Sequence, residues 1–175
     1  MIFKEVLVDS SAQLIQLVAN EIDDNEILFN ELLLFCFEEK KQFSNRASRV
    51  VEKISLTQPK LFLKNIDKIV EKLPHLKDKS VVRNFLQAIF NNIQFIEDEN
   101  QLGRILNVCF LNINNAYLPI ALRYYSIKII DKLTIKFPEI IPEFKETLQL
   151  LLNDESVGLK GYSIKLLKYY SQKRN

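Results

Sequence analysis

Residues 122–133 read LRYYSIKIIDKL, and this stretch decides the fold because its spacing recurs along the chain. Its apolar positions Leu122, Ile129, Ile130 and Leu133 share one face of a helix with 3.6 residues per turn. The pattern predicts a helix over about 117–136, which Pro138 ends because proline cannot continue a helical hydrogen-bond ladder.

The same pattern recurs at a nearly constant interval. Four positions align as anchors, Ser44, Arg83, Arg123 and Lys160, and they are separated by 39, 40 and 37 residues. Apolar side chains follow each anchor at the sixth, seventh and tenth positions. They are Val50, Val51 and Ile54; Ile89, Phe90 and Ile93; Ile129, Ile130 and Leu133; and Leu166, Leu167 and Tyr170. A period near 40 residues that carries two helices is typical of helical repeat arrays.

Helical spacing of apolar residues continues outside these segments and predicts about nine helices. Their approximate ranges are 14–22, 27–36, 44–57, 59–73, 79–95, 98–112, 117–136, 139–152 and 156–171. Ser10 or Ser11 is the expected N-cap of the first helix, and Pro59 is the expected opening residue of the fourth. Residues 2–8 resemble a strand, but with no second strand to pair with they are interpreted as a helix start or a packed arm.

Two of the copies carry a recognisable motif. Residues 122–126, LRYYS, and residues 159–163, LKGYS, each have an apolar residue, a basic residue and then a small residue three positions on. This arrangement resembles the second helix of a HEAT repeat. The copy at Arg83 departs from the motif with a large Leu86, and the first copy has Ser44 in place of the basic residue. The resemblance implies an all-α superhelix of antiparallel helix pairs, a HEAT-like solenoid forming one domain over residues 1–175, with a single compact helical bundle as the alternative.

Composition excludes several classes of protein. Apolar residues make up 47% of the chain and charged residues 26%, which is typical of folded proteins, and three glycines disfavour glycine-rich phosphate loops. Cys36 and Cys109 lie in apolar stretches and are interpreted as reduced core thiols of a cytoplasmic protein, with one disulfide as the alternative. The longest apolar run, residues 32–37, is too short for a membrane span.

The sequence offers little that suggests catalysis. His75 is the single histidine, so no zinc site of clustered Cys and His is expected. The acidic pair at 23–24 and the acidic triplet at 97–99 are interpreted as helix-terminal caps, with a hard-cation site as the alternative. No nucleotide-binding or protease motif is present. We therefore predict no enzyme activity, no metal and no cofactor.

One enzymatic alternative comes from the resemblance itself. Some HEAT-like proteins are DNA glycosylases, which use aromatic side chains, typically tryptophans, beside a catalytic aspartate. Asp131 beside Tyr124 and Tyr125 is the candidate here, although the chain has no tryptophan.

Charge is distributed unevenly. Residues 1–43 contain three Lys/Arg and nine Asp/Glu, whereas residues 44–175 contain 21 and 13. In a HEAT-like stack the second helices line the concave face, and their outward columns predict a basic ridge. Its partner-binding residues are Arg49, Lys53, Lys128, Lys132, Lys165 and Lys168. The ridge predicts a scaffold for an acidic protein partner, with an ordinary solvated face and nucleic-acid binding as the alternatives. Self-association through the last helix is also open, and the oligomeric state is not predicted.

Overall fold

The computed structural model describes residues 3–172, apart from the side chain of Lys41. In this range the backbone forms α-helices and short 3-10 turns. The α-helices are α1 (Phe3–Val6), α2 (Ala12–Ile22), α3 (Glu26–Phe37), α4 (Lys41–Thr57), α5 (Pro59–Lys64), α6 (Ile66–Lys72), α7 (Lys79–Asn92), α8 (Glu99–Asn114), α9 (Ile120–Leu133), α10 (Ile141–Leu150) and α11 (Val157–Gln172). The predicted all-α fold is confirmed.

Helix starts follow the expected chemistry. Ser11 caps α2 by accepting a hydrogen bond from the backbone N–H of Leu14 at 3.3 Å. Pro59 is the first residue of α5, and Asp98 accepts hydrogen bonds from the first backbone N–H groups of α8. In the first acidic pair, Asp23 is the C-cap residue of α2, whereas the N-cap residue of α3 is Asn25. Residues 3–6 form a helix with Phe3 buried, and Ile2 lies outside the described residues.

The single helix predicted over 59–73 is wrong, because the chain breaks at Asn65 into α5 and α6. Asn65 has φ −111° and ψ 10°, outside the helical range. Its buried side-chain amide donates to the backbone oxygen of Leu61 at 3.1 Å. Asparagine competes with the backbone for such hydrogen bonds, which explains the interruption.

The chain divides into two compact units, Met1–Ile105 and Leu106–Asn175, with the boundary inside α8. In the first unit, α4 packs against α2, α3 and α7. Side-chain hydrogen bonds there join residues one repeat apart: Gln58 to the backbone oxygen of Ala19, and Asn84 to Asn45. Each pair is separated by 39 residues, so successive repeats meet at equivalent positions.

In the second unit, α11 packs against α9 and α10 around a core that includes Phe144, Leu148 and Leu159. The same interval appears here, since the hydroxyl of Tyr170 donates to the carboxylate of Asp131, 39 residues earlier, at 2.5 Å. The domain prediction over 1–175 stays a prediction.

Two anchor residues each donate a side-chain hydrogen bond to the end of the preceding helix. The hydroxyl of Ser44 donates to the backbone oxygen of Phe35 at 2.9 Å, near the end of α3. Arg123 Nε donates to the backbone oxygen of Ile113 at 3.2 Å, near the end of α8. Each anchor therefore satisfies a carbonyl that the preceding helix leaves without an intrahelical partner.

The buried cysteines Cys36 and Cys109 are both free thiols. Burial raises the pKa of Cys109 to about 12, against the opposing effect of a hydrogen bond with Ser126. The pKa of Cys36 is raised for the same reason. Among the described helices, none combines the length and hydrophobicity needed to cross a membrane.

Candidate functional site

The predicted ridge residues fall in both compact units. Arg49 and Lys53 lie on α4 in the first unit. The others lie in the second unit, Lys128 and Lys132 on α9 and Lys165 and Lys168 on α11. The continuity of this ridge stays a prediction, and each unit is described by itself below.

An open cleft of about 1050 Å³ in the second unit brings two of the predicted lysines together. Lys132 reaches it from the end of α9, and Lys165 from the middle of α11. The lining residues are Asp131, Lys132, Thr134, Ile135, Pro138, Ile141, Pro142, Lys145, Glu146, Gln149, Tyr162, Lys165, Leu166, Tyr169 and Tyr170. The lining thus combines cations, apolar side chains and tyrosine rings, with Asp131 and Glu146 as its acidic members.

The helical register of α9 concentrates positive charge beside this cleft. Lys128 and Lys132 are four residues apart and so lie on adjacent turns of the same face. Partial burial and the neighbouring charge of Lys128 lower the pKa of Lys132. Lys128 also lies over the rings of Tyr124 and Tyr125, at 5.4 and 5.7 Å from their centroids. The face is therefore basic and aromatic at once.

Tyrosines form the wall of the cleft on α11. Tyr162 contacts Tyr124 with ring centroids 5.3 Å apart, and Tyr169 contacts Tyr170 at 5.2 Å. Burial, together with the charge of Asp131, raises the pKa of Tyr162 to about 12. The pKa of Tyr170 is also raised, first by burial and then by its hydrogen bond to Asp131. Both phenols stay neutral at physiological pH.

Asp131, the candidate of the glycosylase-like alternative, lies in the cleft as a hydrogen-bond acceptor. Its Oδ1 receives the hydroxyl of Tyr170, and the Tyr170 oxygen is also 2.9 Å from Thr134 Oγ1. This network fixes the ends of α9 and α11 against each other. Asp131 therefore stabilises the packing of α9 against α11.

The remaining ridge residues lie outside the cleft lining. Arg49 donates from its guanidinium to the backbone oxygen of Ser10, so it anchors the segment before α2. Lys53 is half-buried on α4, and Lys168 is exposed on α11. Of the six predicted residues, the structure brings only Lys132 and Lys165 together as cleft-lining side chains.

Sequence reasoning missed an exposed apolar column. Leu56, Phe95 and Ile135 each lie twelve residues after an anchor, and their exposed fractions are 54%, 58% and 83%. Ile135 lines the cleft next to Lys132. The signal was present in the aligned repeats, since an apolar residue recurs at this position after three of the four anchors. Lys145 on α10 was also missed, because the predicted ridge comprises second helices of the pairs and α10 is a first helix.

Within the described residues, no cluster of His, Cys, Asp and Glu has the arrangement of a metal site. The cleft side chains can instead hold carboxylates through Lys132 and Lys165 and accommodate apolar groups on Ile135 and the tyrosine rings. Such a mixed surface suits a peptide or protein segment.

Comparison with curated proteins and with solved structures finds no match. A family model described as a HEAT repeat domain matches residues 3–169, nearly the whole chain. The match agrees with the all-helical architecture and with hydrogen bonds at intervals of one repeat. This chain belongs to the HEAT repeat domain family.

Proposed function

We propose that this protein is a non-enzymatic interaction scaffold whose cleft in the second unit binds an acidic, partly apolar segment of a protein partner. HEAT repeats generally mediate protein–protein interaction. The proposal places the scaffold in the cytoplasm, where the buried thiols of Cys36 and Cys109 stay reduced.

The observation that carries the proposal is the convergence of Lys132 and Lys165 on one cleft with exposed Ile135. Two ammonium groups attract carboxylates, and the apolar neighbour adds contact area that ions alone lack. Tyrosine is enriched among residues that dominate binding energy, so Tyr169, which is 47% exposed, is the expected aromatic anchor.

A protein partner is favoured over nucleic acid because the lysines share the cleft with Asp131 and Glu146. Phosphate backbones are bound by surfaces on which cations dominate, and the net charge of the chain is only +2. The acidic side chains of the cleft can instead pair with lysines of a protein segment.

The test is affinity capture from native cytosol at low and moderately high salt, with mass spectrometry and nucleic-acid staining of the retained material. We expect a discrete protein partner that the Lys132→Glu/Lys165→Glu variant fails to retain, because two like charges then face the partner's acids. Binding by the wild-type chain should weaken with salt as these exposed charges are screened.

The matched control is Lys60→Glu/Lys72→Glu, which changes the net charge equally at exposed positions on α5 and α6. This variant should retain the partner. Equal retention of the partner by both variants would contradict the proposal. Retained nucleic acid in place of protein would favour the nucleic-acid alternative.

A further inference from the structure

A second pocket, with a volume of about 360 Å³, lies in the second unit. Its walls come from the end of α8 and the loop after it, from α9, from the end of α10 and from the segment before α11. The residues that line it differ from those that line the cleft. We call it the small pocket and treat it as a separate site.

A buried arginine lines the small pocket. Arg123 is only 4% exposed, and its planar guanidinium carries several N–H donors. Its Nε donates to the backbone oxygen of Ile113 at 3.2 Å, and its Nη2 donates to the carboxylate of Asp154 at 2.6 Å. Within the part of the chain that the structure describes, Nη1 has no hydrogen-bond acceptor. The guanidinium can therefore donate to a ligand oxygen, and a carboxylate is the acceptor that it binds most strongly.

A negative charge lies on the same small pocket. Asp154 already accepts hydrogen bonds from Arg123 and, at 2.9 Å, from the backbone N–H of Ser156. Glu155 also lines the pocket and is exposed. Because Arg123 and Asp154 neutralise each other, Glu155 is the group that attracts a cation. The small pocket thus combines a donor for an anionic group with a partner for a cationic one.

Aliphatic and amide side chains complete the small pocket. Leu150 is 69% exposed and lies beside the buried Leu151, and the exposed amides of Asn114 and Asn153 supply hydrogen-bond donors and acceptors. A bound aliphatic group would cover Leu150 and so remove apolar area from water. The volume is near the lower end for small-molecule pockets, so it suits a small ligand rather than a folded segment.

We propose that the small pocket binds a free α-amino acid with an aliphatic side chain. The α-carboxylate accepts from Nη1 of Arg123, the α-ammonium group pairs with Glu155, and the side chain packs on Leu150. A zwitterion carries both charges on neighbouring groups, which matches a pocket whose ionised side chains have both signs. A phosphate or a dicarboxylate has no cation for Glu155 and would be repelled by it.

The test is an NMR titration of the full chain with four small probes, observed through the backbone amides of residues 113–116 and 150–156. L-Leucine has all three recognised groups, L-leucinamide lacks the carboxylate, N-acetyl-L-leucine lacks the ammonium group, and glycine lacks the side chain. We expect L-leucine to bind, and the other three to bind about tenfold more weakly, because each loses one contact. Binding of none of the probes, or equal binding of all four, would overturn the proposal.

A charge-removing variant tests the assigned partner of the ammonium group. Glu155→Gln should weaken L-leucine binding about tenfold but leave N-acetyl-L-leucine binding unchanged, because that probe has no ammonium group to lose. The matched control is Glu143→Gln, at an exposed position of α10 outside the pocket lining, which should leave both affinities intact. Unchanged L-leucine binding by Glu155→Gln, or equal weakening by both variants, would contradict the assignment. These results are independent of partner capture by the cleft, whose Lys132 and Lys165 are unchanged in both variants.

Discussion

The interface of α4 with α7 and that of α9 with α11 use equivalent positions but different chemistry. Between α4 and α7, side-chain amides of Asn84 and Asn92 bridge to the neighbouring helix, and both residues are almost completely buried. Between α9 and α11, tyrosine rings and a carboxylate make the contact. Large rings hold these helices together while an open cleft lies beside them, so the repeat period decides which positions meet and the residue types decide the character of the contact.

The anchors differ in the same way. Ser44 caps the preceding helix with a neutral hydroxyl, whereas Arg123 does so with a guanidinium that also pairs with Asp154 at 2.6 Å. The side chains of Arg123 and Asp154 are 5% and 11% exposed, so this ion pair is largely shielded from solvent. Removing one partner of a buried pair costs more than removing a neutral hydrogen bond.

The largest expected effect is therefore on the Arg123 anchor. Arg123→Met should lower the free energy of unfolding by about 3 kcal/mol, because it leaves the carboxylate of Asp154 buried without its partner. Ser44→Ala should cost only about 1 kcal/mol, the net value of one hydrogen bond. Urea unfolding monitored by circular dichroism measures both, and equal losses would contradict the distinction between the anchors.

The control for this prediction is Arg123→Met/Asp154→Asn, which should regain part of the loss because no charge remains buried. Burial opposes ionisation of Asp154, but hydrogen bonds from Arg123 and the backbone of Ser156 prevail and lower its pKa below the usual 3.8. A lowered pKa contributes stability above that pH which is lost as pH falls. The difference in the free energy of unfolding between wild type and Arg123→Met should accordingly become smaller in acid.

A smaller effect is expected at the tyrosine interface. Tyr170→Phe removes the hydroxyl that joins Asp131 and Thr134 and should cost about 1 kcal/mol at neutral pH. The pKa of Tyr162 is raised to about 12, and that of Tyr170 is raised as well. The folded state therefore favours the neutral form of both phenols. Their contribution is present below pH 10, the ordinary tyrosine value, and is lost as pH rises through the folded-state values.

Alkaline unfolding measures this contribution, with tyrosinate absorbance as the readout. Stability of the wild-type chain should fall above pH 10, and the fall should be shallower for Tyr170→Phe. Tyr117, which is 98% exposed, supplies the matched control, so Tyr117→Phe should leave the alkaline fall unchanged.

The repeat and its helices could be predicted from the sequence because apolar spacing and caps are local signals. Positions six and ten after each anchor are buried as expected, from Val50 to Tyr170. The break at Asn65 could not be predicted, since an asparagine inside a helical pattern reveals its competing hydrogen bond only after folding. The cleft itself could not be predicted: periodicity placed Lys132 and Lys165 on outward columns, but their convergence depends on how α9, α10 and α11 pack. Arg49 shows the limit, because the helical pattern contains no signal of the hydrogen bond that its guanidinium donates to the backbone oxygen of Ser10.

The smallest effect on stability, and the sharpest comparison of the two units, concerns the exposed apolar column. Leu56→Gln and Ile135→Gln each replace an exposed aliphatic side chain, so both should change the free energy of unfolding by less than about 0.5 kcal/mol. Only Ile135 lies in the cleft, next to Lys132. If that cleft binds the partner, Ile135→Gln should weaken partner capture while Leu56→Gln leaves it unchanged. Affinity capture with each variant decides the matter: loss of capture with Leu56→Gln alone would move the binding surface to the first unit, where Lys53 and Leu56 would then form its basic and apolar elements.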